Sequence, residues 1–117
     1  MNKTDFKKRT KDYALRVVRL VEALPPDRIS STLGSQLLRA GTSVGANYRS
    51  CIRAKSRADF ISKMNIVEEE CDETLYWMEM LIDIGRVAPA EIEALMKEGD
   101  EIISIVVASI KTARAQA

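Results

Sequence analysis

Asp59-Phe60-Ile61-Ser62-Lys63-Met64-Asn65-Ile66-Val67-Glu68-Glu69-Glu70-Cys71-Asp72-Glu73-Thr74-Leu75-Tyr76-Trp77-Met78 contains neither proline nor glycine. Phe60, Met64, Val67, Cys71, Leu75 and Met78 recur at steps of three and four, and Ile82 continues the series. That is the period of an amphipathic helix with one apolar stripe. Ser56-Arg57-Ala58-Asp59 has the form of a capping box, and Gly85 supplies a stop. Together they predict a helix over about residues 57–84, roughly 40 Å long at 1.5 Å per residue.

The same period appears on both sides. A first helix, about 4–24, aligns Phe6, Tyr13, Val17, Leu20, Val21 and Leu24, and ends at Pro25-Pro26-Asp27, where proline cannot continue it. A second, about 32–55, aligns Leu33, Leu37, Ala40, Val44, Tyr48 and Cys51. The last, about 89–115, opens with Pro89 and acidic Glu91 and Glu93, and aligns Ile92, Leu95, Met96, Ile102, Ile103, Val106 and Ile110. Short connections make consecutive helices antiparallel. The expectation is all-α: one up-down-up-down four-helix bundle spanning residues 1–117.

Composition removes much chemistry. The chain of 117 residues has no histidine, which excludes Ser-His and Cys-His catalysis, HExxH zinc sites and His-ligated haem or di-iron. No GxxxxGK[ST] or GxGxxG is present. No enzyme activity, metal or cofactor is therefore expected. The longest uncharged apolar run, Ile102 to Ile110, is too short to span a membrane. A charged start without an apolar segment predicts no signal peptide. Cys51 and Cys71, far apart and without CxxC spacing, suggest reduced thiols in the cytoplasm, buried as apolar fillers. A disulfide between them requires their helices to neighbour in register.

Net charge is +1, yet residues 1–57 carry 13 basic and 4 acidic side chains, and residues 58–117 carry 5 and 13. Such asymmetry bears on partners. Lys7, Lys8, Lys11, Arg16 and Arg19 on the first helix, with Arg39, Arg49, Arg53, Lys55 and Arg57, are the candidate phosphate contacts. They would bind RNA or another nucleic acid with strong salt dependence and no sequence readout. The alternative is a protein-interaction or assembly module whose charges are used between subunits.

Two faces exceed what one core needs. On the second helix Gly34, Leu38, Gly41, Gly45 and Ile52 share a side, and glycines there permit close backbone approach at a cost of about 1 kcal/mol each. On the third, Ile66, Trp77, Met80 and Ile84 lie away from the main stripe. These faces are either an oligomer interface between neighbouring subunits or packing within the bundle. Glu68 falls inside the apolar stripe and needs a partner, for which Asn47 is the candidate. Glu68, Glu69 and Glu70 point in three directions and form no acid/base pair.

The run Arg39-Ala40-Gly41-Thr42-Ser43-Val44-Gly45-Ala46-Asn47, together with the helix lengths and breaks, resembles the 23S rRNA intervening-sequence proteins, also labelled S23 ribosomal proteins. The most specific matches are Arg39, Ala40, Ser43, Val44, Ala46 and Asn47. The resemblance implies a small bacterial bundle without known enzymatic activity, homopentameric in relatives. One branch serves as accessory protein to a reverse transcriptase in diversity-generating retroelements. Tyr48-Arg49-Ser50 departs from the hydrophobic-Glu-Gly sequence that follows the asparagine in many members.

Overall fold

A computed structural model describes residues 1–116. It contains α1 (Lys3–Glu22), α2 (Arg28–Ile52), α3 (Arg57–Asp83) and α4 (Pro89–Ala115). Each start has a local cause. The Asn2 side chain accepts from the Asp5 amide at 2.8 Å, and Ser56 Oγ accepts from the Asp59 amide at 3.1 Å. Asp59 reciprocates by accepting from the Lys55 amide at 3.0 Å. Pro89 begins α4 without a side-chain cap.

α2 differs from its expected bounds at both ends. It begins at Arg28 because Asp27 caps it, accepting from the Ser30 amide at 2.9 Å and the Ser30 hydroxyl at 2.8 Å. It ends at Ile52 because the Lys55 amide belongs to the cap of α3. α3 stops in a Schellman arrangement: Arg86 N–H bonds the Leu81 carbonyl at 2.9 Å, and Gly85 N–H bonds Ile82 at 2.9 Å. Gly85 has φ +76°, which a side chain would strain.

The helices pack in a ring, each against its neighbours in sequence, with α1 closing against α4 along the sparsest seam. The bundle measures 49 × 22 × 21 Å. Phe6 of α1 meets Tyr48 of α2 edge-on with ring centroids 4.7 Å apart, so the start of α1 lies beside the end of α2. Most of the predicted stripes are buried, and the remainder is half-buried against the core. Leu81, Val87 and Thr74 also enter it.

The glycines of α2 face α1. A Cβ on Gly41 would lie 2.7 Å from Val17 Cγ1, and one on Gly45 would lie 3.3 Å from Thr10 Oγ1. The oligomer-interface expectation for Gly41 and Gly45 is therefore corrected, because that space is filled by α1 of the same chain. Glu68 and Asn47 also part company. Asn47 Nδ2 donates to the Ser43 carbonyl at 2.8 Å, one turn back on its own helix, and both residues are only half-buried.

Candidate nucleic-acid interface

Folding four helices antiparallel brings residues 1–11, 44–66 and 104–116 into one half of the bundle. Contacts fix this level between α1 and α2, Phe6 beside Tyr48 and Thr10 beside Gly45, and at the border with α4 Arg9 is paired with Glu98 and Glu101 of the other half. That half holds 12 basic and 2 acidic side chains, net +10. The remainder, residues 12–43 and 67–103, holds 6 basic and 15 acidic, net −9. The near-neutral chain is a rod with its charge sorted along the axis.

Helix dipoles account for part of this sorting. In α2 and α4 cations at the C-terminus complement the macrodipole. α1 is mixed: Lys3 and Asp5 share its first turn, and Arg19 stands in its last. α3 has Asp59 in its first turn but ends on Glu79 and Asp83 with no basic residue in its last turn, where cations are favoured. The acidic end of α3 is the part of the pattern that its own dipole does not favour.

Within the basic half, Lys7, Lys8, Lys11 and Arg49 line one groove of about 590 Å³ between α1 and α2. Gly45 and Ala46 form its floor, because small side chains there let α1 approach closely. Lys8 also pairs with Asp12 at 2.8 Å, fully in solvent, an interaction of little energetic weight. Arg53, Lys55 and Arg57 surround the α2–α3 turn at the same end, all exposed. Lys3, Arg9, Lys63, Lys111 and Arg114 belong to this half as well. Sequence reasoning passed over them; their helix positions in an antiparallel bundle were the signal.

The other candidates lie elsewhere. Arg16 and Arg19 sit above the basic half on α1. Arg39 projects into the acidic half, donating to Glu70 at 3.1 Å and to Glu73. These pairs lie within one chain, which corrects the expectation that Arg39 is free for phosphate. Arg39 in turn holds the Glu73 carboxyl below its ordinary pKa.

The apolar candidates divide too. Leu38 and Ile66 are exposed, while Ile52, Trp77, Met80 and Ile84 are half-buried. Trp77 packs on its own core and donates from Nε1 to Glu73 at 3.2 Å. Tyr76, not singled out from sequence, is exposed and meets Trp77 edge-on at 5.0 Å. The α2 glycines are covered by α1 and the residues just after it, so they are not open to an α3 stripe of another subunit.

Chemistry within the core is muted. Burial pushes the Cys51 thiol up to about 11 and the Cys71 thiol to about 12, so neither is a thiolate at neutral pH. Both are free. Cys71 Sγ donates to the Gly99 carbonyl at 3.4 Å. Among the described residues no cluster of three potential metal ligands occurs, and no helix is long and apolar enough to cross a membrane.

The model of the 23S rRNA-intervening sequence protein family matches residues 2–108. The chain belongs to that family. A solved structure of a protein of unknown function from the S23 ribosomal protein family of Bacteroides thetaiotaomicron is 36% identical, with a TM-score of 0.88. The likeness covers 95% of this chain and 99% of that one. No functionally curated protein matches. For this member of the intervening-sequence family, fold and kinship are thus fixed together.

Proposed function

We propose that this intervening-sequence family protein is a non-catalytic, cytoplasmic bundle that associates with RNA through its basic half. The observation that carries the reading is the axial sorting of charge, net +10 against −9. A cationic end without carboxylates lining its α1–α2 groove attracts phosphate, and the acidic half turns away from it. The absence of histidine and the raised thiol pKa values agree with a binding role.

Self-association belongs to the same reading. Exposed Leu38 and Tyr76 in the acidic half, and Ile66 at the border of the basic half, are apolar surface away from the groove and leave it open in an oligomer. The homopentamer implied by the family resemblance is the form we propose. Light scattering should give the mass of an oligomer, and Ile66→Glu should lower it while helicity by circular dichroism is kept. A monomeric wild type would remove this part.

The central test is fluorescence anisotropy with a labelled RNA hairpin. Wild type should bind at about 50 mM salt. The triple variant Lys7→Glu, Lys11→Glu, Arg49→Glu should weaken binding by on the order of 10²-fold, because three phosphate contacts are lost. Failure of the wild type to bind would sink the proposal.

A further inference from the structure

We infer that the basic half recognises double-helical nucleic acid by its density of phosphate charge and discriminates against single strands, a reading that rests on the RNA association proposed above. The reason lies in where the aromatic side chains are. Binding a single strand draws much of its strength from bases stacked on exposed aromatic rings, about 1–3 kcal/mol per base. In the basic half Phe6 and Tyr48 are 3% and 6% exposed and are turned edge-on to each other. Phe60 is half-buried, packs on the core and shows one side to a cavity that Lys3 and Arg57 also line. The exposed aromatic, Tyr76, stands on the acidic half beside Trp77, where phosphate is repelled. One half-covered ring among the cations is no platform for successive bases of a single strand.

What remains is charge alone, and charge favours the duplex. A double helix carries one phosphate per about 1.7 Å of axis, twice the density along either strand. The 22 Å of duplex that a bundle spans carries roughly 13 phosphates, of which those on the near side face the protein. The cations that meet them come from α1, α2 and the α2–α3 turn, so they are distributed over a broad end and not threaded along one narrow track. Two of the amides near this end are already engaged: Asn47 donates to the Ser43 carbonyl, and the Asn2 side chain caps α1. The shared ligand chemistry is the phosphate backbone of a duplex, whether its sugar is ribose or deoxyribose.

The test uses the full chain and three labelled probes of about 20 nucleotides per strand: an RNA duplex, a DNA duplex of matching sequence, and one unstructured strand. Anisotropy titrations across about 50–200 mM salt should show both duplexes bound at least about tenfold more tightly than the strand. On the duplexes log K should fall with log salt, and single Lys7→Ala, Lys11→Ala or Arg49→Ala changes should each flatten the slope by about 0.9. Lys97→Ala, in the acidic half, should leave the slope unaltered. Equal or tighter binding of the strand overturns this inference and leaves the RNA association standing. A preference above about tenfold for the RNA over the DNA duplex overturns it as well, because the sugar is then being read. Absence of binding to all three probes overturns both.

Discussion

α1 is held by two unlike seams. Against α2 the contact is steric: Gly34, Gly41 and Gly45 admit Leu24, Val17 and Thr10 so closely that an added Cβ meets them at 2.7–3.3 Å. Against α4 the seam is sparse and polar. Arg9 grips Glu98 with two hydrogen bonds, 2.6 and 2.7 Å, and reaches Glu101 at 2.8 Å. Beside them the Tyr13 hydroxyl is buried without a hydrogen-bond partner among the described residues. One side of α1 is fixed by shape and the other by charge, so the two should fail under different insults.

The largest effect should come from the shape side. Gly41→Ala places a methyl against three carbons of Val17, which is fully buried and β-branched and cannot swing away. A loss of about 2 kcal/mol, seen as a fall in Tm of roughly 5–10 °C, is expected despite the better helix propensity of alanine. An unchanged or higher Tm would mean that the close α1–α2 approach does not constrain the bundle.

On the charge side, Glu98→Ala should cost about 1–2 kcal/mol, because both partners are mostly shielded and the pairing is bidentate. A double-mutant cycle with Arg9→Ala should return most of that as coupling; independent, additive losses would deny the pair its role. The same pair gives a pH signature. Arg9 holds the Glu98 carboxyl below its ordinary value of 4.5. A depressed folded pKa contributes stability above the unfolded value and loses it as pH falls through the folded one. Urea midpoints should therefore drop more steeply below about pH 4.5 in wild type than in Glu98→Gln. Parallel curves would count against it.

The smallest effect has the opposite sign. Tyr13→Phe removes a buried hydroxyl that makes no hydrogen bond of ordinary geometry and has only the Cys71 thiol, a weak partner, beside it, so it should be neutral or stabilise by up to about 1 kcal/mol. A clear loss in denaturant titrations would reveal a partner for that hydroxyl.

These seams also mark where sequence reading succeeds. Helical periodicity placed Val17, Leu37, Val67 and Ile102 in the core, because burial of one face is written along each helix separately. The side that a glycine faces is not written there. Gly41 lies next to the core stripe of α2, and only the position of α1 decides whether it packs within the chain or against another. Arg39 taught the same lesson: its carboxylates, Glu70 and Glu73, lie some thirty residues on and meet it only through the α2–α3 register. The start of α2 was misplaced for a local reason, since Asp27 follows two prolines and caps ahead of the serines that also have cap chemistry. Charge had been divided between the halves of the chain, whereas antiparallel folding interleaves them and redistributes it along the axis.

That axis has a consequence for how many copies fit on a polyanion. On the proposed reading, each protomer, 49 Å long, about 22 Å wide and repelled along one half, would meet a duplex with its cationic end instead of lying flat. Its footprint is then set by width, roughly six to seven base pairs at about 3.4 Å each, against about fourteen for a rod laid lengthwise. Upright protomers would crowd more than twice as densely, and their acidic halves would form an outer layer, a negatively charged coat over the nucleic acid beneath.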